Sequence, residues 1–508
     1  METAWYLLFL RGMASTRLPT ARIRSLLILS VIVAAAAVAR LWRIDAGIPH
    51  AVGIDEPQIV DRALRILHTG DWNTHIFDYP TLVIYLHAMV AIGRFLWGAL
   101  NGEWASLDAF SITAVYLAGR AVAALTGVAT VWLTYRIGRE LASRRVALLA
   151  AAQMATIPLH VRESHFILTD VPMAALSTLA VWLSMRAARV GTARAYAWAG
   201  AACGLAAAAK YTGGVALVAV LTAWWLHERS APDRLRKLGA ALGAAALAFL
   251  AGAPYTLLDL PGFLDGFAAQ FSRFAAPSHT TDPSWLLYVK HLSPSAARWT
   301  VPLAIAGFAA VFWRGRSRTR WMPAVAFTAA YFYALSSHSH VFGRYALPLL
   351  PMMCLFIAAA VFDLVDLLAR LAPLASPSRR GAVAAIAVLL VLYGPASATV
   401  RWLDQLKRSD TRALAAEWLR SNTPRAARVA VESNGPTYLA SAGFKVTGTD
   451  MLIDRPLDWY RQRADYLVIS ATDLARYGEY VNAGPTVYQV APTPQRWGPP
   501  ILIVRLTR

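Results

Sequence analysis

The stretch SITAVYLAGRAVAALTGVATVWLTYRIGRELASRR, residues 111–145, decides the fold class. Its first part, from Ser111 to Tyr135, is long and apolar enough to cross a hydrocarbon layer, which takes about 20 residues of helix. It then runs into Arg136, Arg139, Arg144 and Arg145. An apolar run closed by a basic cluster reads as a membrane span with its cytoplasmic flank. Working outward, the same pattern recurs along most of the chain. Upstream lies the run from Ser25 to Ala39, preceded by Arg11, Arg17, Arg22 and Arg24. Downstream runs occupy 146–162, 171–188, 195–209, 212–226, 238–257, 296–313, 321–337, 345–369 and 381–403. Basic residues gather at Arg186 to Arg194, Arg229 to Lys237, Arg314 to Arg320 and Arg370 to Arg380, so every second connection is Arg-rich. The alternation predicts an α-helical polytopic membrane protein of about eleven transmembrane helices with a cytoplasmic amino terminus, in a bacterial inner membrane. Translation can begin at Met1 or Met13, and the first run is a retained helix rather than a cleaved signal because further spans follow.

Composition agrees: 57% of the 508 residues are apolar and 15% charged, against about 25% charged in soluble domains. The net charge of +20 is carried largely by the inner connections, so it is mainly a record of topology and not of a nucleic-acid partner. Cys203 and Cys354 both sit inside apolar runs, which argues against a disulfide or thiolate metal site.

One further apolar segment, Thr81 to Leu100, breaks the parity if it crosses, because it would place Arg136 to Arg145 outside. It also carries His87 and Arg94, which are costly in hydrocarbon. It is therefore read as a juxtamembrane or re-entrant helix within one long outer loop, residues 42–110. That loop is acidic where the inner ones are basic, with Asp45, Asp55, Glu56, Asp61, Asp71, Asp78, Glu103 and Asp108. The membrane domain covers 1–403. Residues 404–508 form a small soluble α/β domain on the same outer side, with Asp410 as the N-cap of a helix from Thr411 to Arg420 and strands at Arg428 to Val431, Tyr466 to Ile469 and Ile501 to Val504.

Four polar motifs fall on the outer face. Gly53-Ile54-Asp55-Glu56-Pro57 places two carboxylates after the first span, suited to general-base work or cation binding; the plainer reading is a solvated turn with Pro57 opening a helix. Arg162-Glu163-Ser164-His165 and Asp170-Val171-Pro172 could meet it in space or merely mark a helix boundary. Lys210, between two apolar runs, suits a phosphate or simply snorkels. Arg344-Tyr345 pairs a guanidinium with a phenol, again suited to a phosphodiester, while His338-Ser339-His340 beside it reads as polar filler.

The order of these motifs resembles the GT-C superfamily, in the branch of protein O-mannosyltransferases and aminoarabinose transferases that use dolichyl- or polyprenyl-phosphate sugars. The resemblance rests on Asp55-Glu56, Tyr79-Pro80, Arg162 to Pro172, Gly204 to Tyr211 and Arg344 to Pro351, with Asp410-Thr411-Arg412, Trp418, Asn422 and Pro424 in the tail. It implies catalytic roles for Asp55 as base, Glu56 as assisting carboxylate and Asp170 as an acceptor-orienting or metal-related group. It implies Arg162, His165, Lys210, Arg344 and Tyr345 at the substrate, the last three on the carrier phosphate. A divalent metal is compatible with this set, and none is required. Tyr79 stands where aminoarabinose transferases carry a phosphate-contacting Lys, which counts against that sugar. The expected activity is sugar transfer from a polyprenyl-phosphate donor to a lipid, glycan or protein acceptor, with inversion and with membrane lipids as surroundings. The rival is a secondary transporter or flippase for an amphiphilic anion. Such proteins place polar sites near the midplane between repeats, whereas here the charges gather at one surface.

Overall fold

The computed structural model describes residues 20–275, 282–293, 299–314, 317–370, 376–471 and 473–507. Arg11, Arg17 and Arg316 lie outside them. The chain is an integral membrane protein. Among the described residues seven helices are long and apolar enough to cross a membrane: Ile23–Leu41, Leu82–Leu100, Ile112–Leu141, Asp170–Val190, Arg234–Gly252, Leu349–Leu368 and Pro377–Gln405. Shorter apolar helices cover Tyr211–His227 and Thr300–Trp313. The apolar segments read from the sequence are largely helical where described, but three are interrupted, the one at 345–369 by the turn Leu347-Pro348 ahead of its helix. The expected span 146–162 breaks into Arg144–Thr156 and Pro158–Glu163, because Pro158 lacks an N–H and forces Ile157 into extended backbone at ψ 116°. The span 238–257 likewise stops at Gly252, ahead of Pro254.

Among the described residues, three helix starts in the bundle carry a side-chain cap. Ser143 accepts from the Val146 N–H, Thr192 from Ala195 and Ser376 from Arg379. Small residues set the closest packing: a Cβ on Gly200 or Gly204 would overlap the carbonyls of Ala241 or Ala245, so the Ala193–Ala209 and Arg234–Gly252 helices meet backbone to backbone.

The bundle is polar in the sense of having two unlike ends. At one end the five Arg-rich connections converge. Arg145 and Arg380 both pair with Asp366, Arg314 pairs with Asp363, and Arg189 reaches Glu140. A cavity lined by Glu140, Arg189, His227 and Arg320 joins the remaining connections to them. At the opposite end Arg40 closes the first helix against Met154 and Ala155 carbonyls, and Arg120 reaches the Ile44 and Ala46 carbonyls just beyond it. Both ends of the Leu82–Leu100 helix lie at this second end. Thr81 donates to Gly252 O, and Phe95 packs edge-on to Phe110 just before the Ile112–Leu141 helix begins.

The carboxy-terminal region is α/β. The helix Thr411–Asn422, capped by Asp410 as expected, precedes strands β1 (Arg428–Glu432), β2 (Lys445–Thr449), β3 (Tyr466–Ile469), β4 (Thr486–Val490) and β5 (Ile501–Arg505). Their order is β2-β1-β3-β5-β4: β1 is parallel to β2 and β3, with Val429 opposite both Val446 and Tyr466, while β5 runs antiparallel to β3 and β4. Central β1, β3 and β5 are nearly continuous apolar runs because both faces are covered. The region docks on the 42–61 loop, with Thr437 N–H donating to His50 O.

Candidate active site

Four separate segments bring ionised side chains together at the end of the bundle away from the Arg-rich connections. Asp55 precedes the Glu56–Thr69 helix with helical dihedrals (φ −92°, ψ −8°) and makes no side-chain cap bond, so its carboxylate is not spent on its own helix. It reaches Arg344, with Nη2 to Oδ2 at 2.7 Å. Asp170 opens the Asp170–Val190 helix, where the helix N-terminus favours its charge, and is buried. Lys210 directly follows the Ala193–Ala209 helix in extended conformation, which swings its side chain across: Nζ donates to Asp170 Oδ1 at 2.7 Å and sits 4.0 Å above the Tyr345 ring. Arg344 lies in the 3-10 turn Gly343–Ala346 ahead of the Leu349–Leu368 helix, its Nε 3.6 Å from Asp170 Oδ2 and its guanidinium 4.8 Å over Phe342. One guanidinium therefore bridges two carboxylates.

The electrostatics follow from that geometry. Burial weakens the Arg344 cation, but Asp170 and Asp55 more than offset it and its pKa rises. Burial pulls the Lys210 pKa down against the opposing pull of Asp170. Tyr79 lies in the field of Asp55, Asp170, Tyr345 and Arg344, and burial, with both carboxylates, pushes its phenol up. The residue before Pro80 thus faces the cluster as a neutral hydroxyl. A cavity of about 120 Å³ opens beside the cluster, with Lys210, Thr212, Tyr331, His338 and Tyr345 in its wall.

The remaining expected residues are placed differently. Glu56 is fully buried and turns the other way: its carboxylate accepts from Arg120 Nε (2.9 Å) and Nη2 (2.7 Å), Gly53 N (2.7 Å) and Ile167 N (2.9 Å). That is a saturated carboxylate binding the Asp55 loop to the segment ahead of Asp170. Arg162 forks onto the neighbouring Glu163 at 2.6 and 2.8 Å. Burial raises the Glu163 pKa, with Arg162 opposing, and Glu163 feels Asp170 and Arg344. His165 has a carbonyl oxygen against each ring nitrogen, Val161 O at 2.9 Å and Trp42 O at 3.1 Å, with its ring edge on Trp402; burial lowers its pKa to about 4, and the two carbonyls oppose that pull. It does not join the cluster. Sequence reasoning passed over Arg120, although a lone Arg inside an apolar run is itself a signal. Among the described residues no group of three or more His, Cys, Asp or Glu is placed to hold a metal. A divalent cation at Asp55 and Asp170 would compete with Arg344 and Lys210.

The nearby folds are informative. The crystal structure of ArnT from Cupriavidus metallidurans in the apo state superposes with a TM-score of 0.59 at 15% identity, covering 96% of this chain and 98% of that one. The same protein bound to undecaprenyl phosphate gives 0.59 at 15% identity, over 93% and 97%. The fold is GT-C. A GT-C match of similar quality is the archaeal oligosaccharyltransferase AglB from Archaeoglobus fulgidus, in complex with an inhibitory peptide and a dolichol-phosphate, with TM-score 0.58 and 15% identity over 89% of this chain and 70% of that one. The profile of the dolichyl-phosphate-mannose-protein mannosyltransferase family matches residues 106–257. That portion of the GT-C domain holds Asp170 and Lys210 but not Asp55 or Arg344. No curated protein sequence matches the chain.

Proposed function

We propose that this GT-C protein is a glycosyltransferase that moves a sugar from a polyprenyl-phosphate carrier to a lipid, glycan or protein acceptor on the outer face of a bacterial inner membrane. The observation carrying the proposal is the contact cluster Asp55–Arg344–Asp170–Lys210, built from four segments at the end of the bundle remote from the Arg-rich connections. By the positive-inside rule those connections face the cytoplasm, which places the cluster, the 42–110 loop and residues 404–508 outside. With both its ends at the cluster end, the Leu82–Leu100 helix then lies along the surface, leaving about eleven crossings in a membrane domain that ends near residue 403.

In the proposed reaction the acceptor hydroxyl oxygen attacks the anomeric carbon and its proton passes to Asp55. The bond from that carbon to the phosphate oxygen breaks, and the phosphate leaves with the electron pair. One direct displacement inverts the anomeric configuration. Arg344 and Lys210 stabilise the charge that develops on the leaving phosphate, a task that fixed cations perform without reorganisation. Each cation is matched by a carboxylate, so a carrier phosphate must draw Arg344 away from Asp55. Donor binding therefore frees the base that the acceptor needs, and orders the two substrates. Tyr345 supplies the aromatic floor under the Lys210 ammonium. Glu56 acts through the loop, not on the substrate.

The test is Asp55→Asn in purified protein, because the amide keeps shape and hydrogen bonding but cannot take a proton as the carboxylate does. The expected result is transfer slowed by about a hundredfold to ten-thousandfold with donor binding retained. Near-normal turnover would refute the base assignment. Transfer by protein in detergent also separates an enzyme from a transporter, since transport needs a sealed compartment.

A further inference from the structure

The loop that carries Asp55 is gripped from two sides, and only one grip belongs to the membrane domain. From below, Arg120 holds the Ile44 and Ala46 carbonyls and the Glu56 carboxylate. From above comes the carboxy-terminal region. Arg412, in the first turn of the Thr411–Asn422 helix, is buried, and its guanidinium donates to Val52 O at 2.9 Å from Nη1 and to Ala51 O at 3.1 Å from Nη2. Asp410 fixes that guanidinium from behind, accepting from Nε at 3.1 Å and from Nη2 at 2.8 Å, and the same carboxylate caps the helix through the Arg412 N–H. The planar fork is thus oriented before it meets the two carbonyls, which a flexible ammonium could not reproduce.

A second contact reinforces the first. Thr437 Oγ1 donates to Pro49 O at 2.6 Å, its N–H to His50 O at 2.9 Å, and its own carbonyl lies 2.8 Å from His50 Nδ1. The next residue, Tyr438, sits in the left-handed region at φ 53°, costly for a side chain of that size. In that conformation its hydroxyl reaches Asp61 at 2.8 Å and the Tyr116 hydroxyl at 2.9 Å. Strain held by surrounding contacts is a sign of a position under constraint. These contacts straddle residues 49–61, and Asp55 lies three residues beyond Val52.

We propose that the carboxy-terminal region is a positioning device for the catalytic loop, with Arg412 and Thr437 holding the Asp55 backbone at the height where its carboxylate meets both Arg344 and the acceptor. This deepens the glycosyl-transfer reading and rests on it for its kinetic half. Arg412 and Thr437 do not touch substrate; they act through Ala51, Val52 and the Pro49–His50 segment. The region therefore does more than decorate the outer face: displacing it loosens the base while leaving the phosphate cations Arg344 and Lys210 anchored in the bundle.

The experiment compares full-length wild type with Arg412→Lys and Thr437→Val in detergent. Arg412→Lys keeps the charge opposite Asp410, and Thr437→Val removes one part-buried hydroxyl bond, so neither variant strands the Asp410 carboxylate without a cation. Three readouts are taken: amide exchange over residues 47–56, binding of undecaprenyl monophosphate, and transfer of radiolabelled sugar from a polyprenyl-phosphate-sugar fraction of native membranes. Expected is faster exchange in the loop by about tenfold, as for loss of a hydrogen bond to a charged donor, with exchange in the Arg-rich end unchanged. Carrier binding stays near wild type, and kcat falls on the order of tenfold to a hundredfold, the scale of a sub-ångström to one-ångström misplacement, with little change in donor KM. Unchanged loop exchange overturns the clamp. Faster exchange with unchanged kcat overturns its positioning role. A wild type that transfers no sugar refutes the enzyme reading alone, because the exchange readout still decides whether the clamp exists.

Discussion

At the residue scale, the chemistry turns on which side chains meet the carrier phosphate, and Arg344 is the sharpest case. Its guanidinium touches Asp55 at 2.7 Å and stands 3.6 Å from Asp170, so it can deliver two parallel N–H groups to a phosphate in their place. Arg344→Ala should cut binding of undecaprenyl monophosphate and turnover together, while Arg344→Lys restores part of the charge but not the fork; equal behaviour of the two variants would refute the bidentate role. Glu163 offers a test through pH. Burial raises its pKa in the folded protein, so the native state holds its proton more tightly than the unfolded chain, and stability falls as pH rises from the ordinary carboxyl range through the raised value. Glu163→Gln removes that liability. The variant should therefore melt higher than wild type at neutral pH, with the gain fading as pH drops below the ordinary Glu range; a constant difference across pH would show that Glu163 does not titrate differently on folding. The resemblance put both Asp55 and Glu56 at the reaction, one as base and one as assisting carboxylate. Successive residues on a helix start point roughly 100° apart, so one carboxylate had to leave the site. Which one left depends on Arg120, 64 positions away in sequence, and the placement of His165 likewise depends on the Trp42 carbonyl, 123 positions away.

At the element scale, the apolar runs were legible because hydrocarbon demands an uninterrupted stretch of about 20 residues, and the α/β core strands because β1 and β3 are buried on both faces. The edge strands were not. In β2 and β4 most side chains are exposed or half-exposed, so Lys445–Thr449 and Thr486–Val490 carry no apolar run to read. The break at Ile157–Pro158 was legible in principle, since Pro at the start of a helix is favourable and inside one is not. Close helix contact is the element-scale feature with the plainest test. A Cβ on Gly204 would overlap the Ala245 carbonyl and come within 2.9 Å of Phe249 N, both backbone atoms that no rotamer change can move. Gly204→Ala should separate the Ala193–Ala209 and Arg234–Gly252 helices and lower the melting temperature in detergent. Because Lys210 ends the first of these helices, carrier binding should weaken with it. A variant as stable as wild type would mean the interface has slack the structure does not show.

At the scale of the whole molecule, the two unlike ends of the bundle organise everything else, and the argument for sidedness is electrostatic. Arg-rich connections resist translocation, so on the proposed sidedness the end where Arg145, Arg189, Arg314 and Arg380 pair with Glu140, Asp363 and Asp366 stays on the side of synthesis. The cluster, the clamp and the α/β region then share the other side. Labelling single introduced cysteines in intact cells tests this directly, and the background is low because Cys203 and Cys354 are both buried. His68 and Ser106 are exposed and flank the Leu82–Leu100 helix, while Arg194 is exposed at the Arg-rich end. His68→Cys and Ser106→Cys should both react with a membrane-impermeant maleimide from outside, and Arg194→Cys only after the membrane is opened. Opposite labelling of the first two would mean that the Leu82–Leu100 helix crosses, which adds a span and reverses every connection after it. That result would put Asp170 and Lys210 on the far side from Asp55, a separation that the 2.7 Å bond from Arg344 to Asp55 and the 3.6 Å approach of Arg344 to Asp170 do not permit within one folded bundle.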